Sequence, residues 1–179
     1  LFFLSEVFTG FFEDLVCSKL VDQYLWTGDV VFDFGFVCVN IYFVAKGVYS
    51  YKTSFDVDDV SIQDVRAASR DLLIEQQWIC EPALWTKWQN RGRLTSKASG
   101  LLCALEATTF QKAAAQYPEV QWISILYARA YVAKLLQEIR NDMVGPPRLN
   151  SIVIDMEEAV LEGVAAANQL EGTLPWENM

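Results

Sequence analysis

The chain has 179 residues, is 53 % apolar and carries a formal net charge of −9. That length suits one domain, or a domain with an appendage, and so much apolar material excludes bulk disorder. Histidine is absent, which removes Ser-His-Asp and Cys-His nucleophiles, H-E-x-x-H zinc sites and histidine-ligated haem.

The opening LFFLSEVFTGFF lacks a basic leader and a small-residue cleavage site, so it does not read as a signal peptide. Over 1–26, apolar pairs recur every three to four positions, the period of an amphipathic helix. Phe8, Phe11, Phe12, Leu15, Val16, Leu20, Val21 and Tyr24 fall on its apolar side, and Thr27-Gly28-Asp29 ends it. Residues 30–51, VVFDFGFVCVNIYFVAKGVYSY, are the most hydrophobic stretch. As a helix, its 22 residues reach about 33 Å, enough for a bilayer core. Asp29, Asp33, Asn40 and Gly47 would then share a face. An Asp33 inside a membrane is costly unless it faces protein. The dominance of Val, Phe, Tyr and Ile leaves a buried core helix or a pair of strands as alternatives. Phe8, Phe11, Phe12, Phe32, Phe34 and Phe36 are the expected membrane or partner anchor.

A boundary is expected between 52 and 58. Carboxylates then precede Val60, Val65, Leu72, Leu73 and Trp78 at helical spacing. Pro82 ends that helix or opens a short one, PALWTKWQN, and Thr95 or Ser96 caps another through Gln116. Pro118 stands where a helix best tolerates proline and opens the longest segment, with Trp122, Ile125, Leu126, Leu135, Leu136 and Ile139 as its expected core. Gly145-Pro146-Pro147 stops it; Asn150 or Ser151 caps a last helix to 170, and 171–179 is a tail. The expected fold is all-α: a helical bundle over 57–170, about four helices with short connections. An apolar N-terminal helical pair over 1–52 precedes it, and its second member could be transmembrane over 30–51.

Charge is unevenly placed. Residues 83–116 hold five cations against Glu106 alone, whereas 150–179 hold six carboxylates and no cation. Trp78, Trp85, Lys87, Trp88, Arg91, Arg93 and Lys97 form a candidate interaction cluster, because Trp and Arg are enriched at binding hot spots. Tryptophan and cations also suit a lipid headgroup layer, and core tryptophans under solvated cations give the same pattern. The acidic remainder argues against nucleic acid. Asp155, Glu158 and Glu162 line one face of the last helix and read as an electrostatic docking strip. Without turns of backbone oxygen they make a poor calcium cage, so no metal site is expected.

The four cysteines are widely spaced with no C-x-x-C, and reduced, mostly buried thiols are expected. No G-x-G-x-x-G, P-loop or G-x-S-x-G occurs. No catalytic residue and no cofactor is therefore predicted. The functional expectation is a non-catalytic accessory or assembly subunit of a membrane-associated complex. Its membrane would be an organelle inner or thylakoid-type one, with the helical domain on the reducing side, since Lys46 and Lys52 follow the span. Its partners would be other protein subunits, with membrane lipid as a further contact. The alternatives are a soluble helical module binding a hydrophobic small molecule or pigment, and a self-assembling coat or filament protein.

Overall fold

A computed structural model describes residues 9–53 and 72–141. In chain order the elements are α1 (Thr9–Ser18), β1 (Val21–Leu25), β2 (Val30–Phe32), β3 (Val37–Cys38), β4 (Asn40–Lys46), β5 (Tyr49–Thr53), β6 (Leu72–Leu73) and β7 (Trp78–Ile79). There follow α2 (Pro82–Trp85), β8 (Trp88–Gln89), β9 (Gly92–Ser96), β10 (Gly100–Glu106), α3 (Ala107–Ala114) and α4 (Pro118–Asn141). The chain divides into two compact units, one of Asp14–Lys112 and one of Leu1–Glu13 with Ala113–Met179.

The strands of the first unit pair in a nested order. β1 joins β10, β2 joins β9, β3 joins β8, β4 joins β7 and β5 joins β6, all antiparallel. It is as though one long hairpin were rolled up, the layout of a jelly roll. Cross-pairing of β4 with β10 and β5 with β9 completes two four-stranded sheets, β1-β10-β4-β7 and β2-β9-β5-β6. Ile41, Val44, Ile79, Leu94, Leu102 and Leu105 are buried in this unit. Gly92 sits where β9 meets β5, and a Cβ there would lie 2.3 Å from the Lys52 carbonyl oxygen, so only glycine allows that approach.

This architecture overturns the all-α expectation. The supposed span over 30–51 is the four strands β2 to β5, with Gly35 at φ +81° and Gly47 at φ +102° inside it. A right-handed helix cannot pass through such residues, while β-branched and aromatic side chains suit a pleated surface. Of the expected helix from Thr95 or Ser96 through Gln116, the first part is the end of β9 and all of β10, and Ala107–Ala114 is helical as α3. The run of buried residues in β10 lies in a strand flanked on both sides, and periodicity cannot separate that from a buried helix. Of the amphipathic helix over 1–26, the described part is helical only over α1, and 21–25 is strand β1. Among the described residues no helix is long and apolar enough to cross a membrane. Phe8, most of the helix expected after residue 57, and the last helix with Asp155, Glu158 and Glu162 lie outside the described residues.

In the second unit, α4 begins at Pro118 and runs for 24 residues. It buries Val120, Leu126, Tyr131 and Leu135. Trp122, Ile125 and Leu136, expected in the core, are exposed. Phe11 meets Tyr117 edge to face at 5.5 Å.

Candidate functional site

Between β7 and β8 the chain makes a short, tightly held connection within the Asp14–Lys112 unit. Cys80 leaves β7 at φ +72°, a conformation that costs a non-glycine side chain energy. Pro82 then starts the single-turn α2, where its missing N–H loses nothing. The Thr86 N–H and hydroxyl both donate to the Pro82 carbonyl, at 2.8 and 3.0 Å. Gln111 of α3 donates to the Leu84 carbonyl at 3.1 Å, and Phe110 packs edge-on against Trp85 at 5.6 Å. On the far side, β8 pairs with β3, and the Asn90 N–H donates to the Phe36 carbonyl at 2.9 Å.

The register of β3 and β8 sets what faces inward. Cys38 lies opposite Trp88 and both are buried, whereas Val37 lies opposite Gln89 and both are exposed. At the two-residue spacing of a strand face, Asn40 and Tyr42 continue the side of Cys38. Asn40 Nδ2 donates to the Tyr42 hydroxyl at 3.3 Å, and the Cys38 thiol to the Asn40 carbonyl at 3.3 Å. Cys80 donates to Asn90 Oδ1 at 3.7 Å, and Asn90 is itself buried. Beside this cluster, Trp78 Nε1 donates to the carboxylate of buried Glu81 at 3.0 Å. A face of two buried thiols, a buried amide, a half-buried amide and a buried phenol is unusual in a β-roll core, which ordinarily closes with apolar side chains.

The electrostatics follow from these contacts. A side-chain hydrogen bond with Cys80 holds Cys38 below the ordinary thiol range; burial opposes this and the Asn40 backbone adds to it. Cys80 moves well above that range through the same bond, its burial and the charge on Cys38. Burial raises the Tyr42 phenol, Asn40 lowers it, and the two cysteines raise it further.

Trp88 brings an unmet donor to this region. Trp88 is 7 % exposed, and its buried Nε1–H has no acceptor among the described residues. Such a donor costs about 1–3 kcal/mol. The Arg91 guanidinium lies 5.3 Å from the Trp88 ring centroid, and among the described residues it has no carboxylate partner.

The basic and aromatic cluster expected from sequence is split by the fold. Trp78, Lys87 and Lys97 are exposed, Trp85 lies against Phe110, and Trp88 with Arg91 borders the polar face. Arg93 is engaged elsewhere: its Nε donates to Asp33 Oδ1 at 3.0 Å and its Nη2 to Oδ2 at 2.5 Å. The hydrogen bonds from Arg93 and from the Phe34 N–H hold Asp33 below the usual carboxylate range. Asp33 is thus a partner of Arg93 at the protein surface, not an intramembrane carboxylate. Of the anchor phenylalanines, Phe11 and Phe32 are buried, Phe12 lies in α1, and Phe34 and Phe36 are 55 % and 68 % exposed. Sequence reasoning missed Cys38, Asn40, Tyr42, Cys80, Glu81 and Asn90. The stretch CEPALW held one signal, a carboxylate directly before a proline that opens a single turn.

No protein-family model matches the chain, and no curated protein matches it in sequence. Solved structures do. The N-terminal domain of a transcriptional regulator from Streptomyces coelicolor A3(2) matches with TM-score 0.51 and 22 % identity, over 71 % of this chain and 81 % of that one. A cyclic nucleotide-binding-like protein from Brucella abortus matches with TM-score 0.50 and 16 % identity, over 62 % of this chain and 88 % of that one. The fold is cyclic-nucleotide-binding-like. The Thermus thermophilus catabolite activator protein gives TM-score 0.48 and 18 % identity, over 72 % of this chain and 58 % of that one. The expectation of a membrane-complex accessory subunit, with its helical and coat-protein alternatives, fails with the β-rich fold shared with the Streptomyces and Brucella proteins. The accessory-subunit and small-molecule readings required a helical body, and the membrane placement required a helical span that 30–51 does not form.

Proposed function

We propose that the Asp14–Lys112 unit is a non-catalytic sensing module that binds a small anionic ligand beside the Cys80–Arg91 connection, with a 3′,5′-cyclic nucleotide as the first candidate. The observation that carries this reading is the pairing of the buried, acceptor-less Trp88 Nε1–H with the adjacent Arg91. A ligand anion would meet the guanidinium, and a ligand acceptor atom would satisfy the indole. A cyclic nucleotide carries both, a charged phosphate and ring acceptors. The fold likeness to a protein described as cyclic nucleotide-binding-like supports the choice of ligand class. Binding would reach other proteins through exposed aromatics such as Trp26, Phe34 and Phe36, so the partners remain protein subunits in this reading. No resident cofactor is needed for it.

The test is calorimetric titration with adenosine and guanosine 3′,5′-cyclic monophosphates, with the linear 5′-monophosphates as comparison. The reading predicts saturable binding of a cyclic form, weakened at least about tenfold, or ~1.4 kcal/mol, in Arg91→Ala. Folded protein that binds none of these compounds, or binds them equally well without Arg91, contradicts it.

A further inference from the structure

Two of the four cysteines meet inside the same unit, and this has a consequence independent of any ligand. Cys38 closes β3 opposite Trp88, and Cys80 directly follows β7 with its thiol on Asn90, two residues beyond Trp88 and just past the end of β8. Trp88 and Asn90 are both buried, so the two thiols come to the Trp88–Asn90 segment on its buried side, where each acts on the other through a side-chain hydrogen bond. Cys38 is 6 % exposed and Cys80 0 %; both are unoxidised here. We propose that Cys38 and Cys80 form a reversible disulfide on exposure to a hydroperoxide, tying β3 to the connection that holds α2.

The chemistry balances in two steps. The Cys38 sulfur attacks one peroxide oxygen, the O–O bond breaks, and Cys38 becomes a sulfenic acid as water (or an alcohol) leaves. The Cys80 sulfur then attacks the Cys38 sulfur, the S–O bond breaks, and the hydroxide departs as water with the Cys80 proton. The hydroperoxide takes up the two electrons the thiols lose. Cys38 suits the first step, being the more exposed of the two and held below the ordinary thiol range. Cys80 is already in contact with it as the resolving thiol. Access requires only local opening at β3, a two-residue strand whose neighbours Phe36, Val37 and Val39 are exposed. The other two cysteines cannot substitute: Cys17 is exposed on α1, and the Cys103 thiol lies on Asp22 of β1.

The test uses protein with Cys17→Ser and Cys103→Ser, shown to be β-rich by circular dichroism, treated with hydrogen peroxide, unfolded and alkylated. The proposal predicts an intact mass lower by two hydrogens, no alkylation, a single peptide pair joined through Cys38 and Cys80, and recovery of both thiols with dithiothreitol. Peptide mapping of the oxidised wild-type chain checks the same linkage without substitutions. Two alkylated thiols after treatment, sulfinic acid on one cysteine, or disulfides only between molecules would overturn it.

Discussion

Two sets of buried side chains close the β roll by different physics. Ile41, Val44, Leu94, Leu102 and Leu105 make up the first region, where burial of hydrocarbon suffices. Asn40 and Tyr42 belong to a region finished with Cys38, Cys80 and Asn90, where hydrogen bonds must replace those lost to water and the Trp88 indole is left without an acceptor among the described residues. The first region has the character of a scaffold. The second keeps unmet bonding capacity inside the protein, which a scaffold does not need and a binding site does.

That contrast is broken most severely from the scaffold side. Leu102→Ala, at a position with no exposure, should cost about 2–5 kcal/mol, read as a lower urea midpoint. Gly92→Ala should cost about 1–3 kcal/mol, because its Cβ would meet the Lys52 carbonyl and the Tyr51 ring. Trp88→Phe sharpens the contrast: it keeps the ring, removes the unpaired N–H, and should leave stability equal or up to ~1 kcal/mol higher while ligand binding falls. A large loss of stability in Trp88→Phe would make the indole N–H structural.

The smallest expected effect is at the surface pair Asp33–Arg93. Asp33 has a lower pKa folded than unfolded, so the pair's contribution is complete above the unfolded value and disappears as pH falls through the folded one. Arg93→Ala should therefore flatten the acid limb of the stability profile slightly and leave neutral stability almost unchanged, as exposed ion pairs contribute little.

Helix α4 was legible because Pro118 marks its start and polar residues punctuate the apolar ones that follow. The strands were misread for a specific reason. In VVFDFGFVCVNIYFVAKG, β4 is buried on both faces, with Ile41 and Tyr42 adjacent in sequence and both inside, while Val30, Phe34, Phe36, Val37 and Val39 before it are apolar yet exposed. The two-residue alternation that betrays a half-buried strand is then lost. Gly35 and Gly47 mark the places where the run breaks between strands, each at a positive φ that no right-handed helix accommodates. The site was less legible still. Cys38, Cys80 and Asn90 are separated by long stretches of sequence and meet only through the nested pairing of β3 with β8. The charged run 85–97 drew attention to the right segment, yet its cations diverge, Arg93 to Asp33 and Arg91 to the Trp88 ring.

The account turns on whether the Trp88 end of the polar face receives a ligand. The most direct measurement is the indole ¹H–¹⁵N spectrum, with the Trp88 signal assigned by its loss in Trp88→Phe, followed during titration with a cyclic nucleotide. The account predicts a saturable shift of the Trp88 signal as its N–H gains an acceptor, with the exposed Trp26 and Trp122 signals unmoved. A Trp88 signal that stays in place while nucleotide saturates the protein, or that moves no more than those of Trp26 and Trp122, would contradict it.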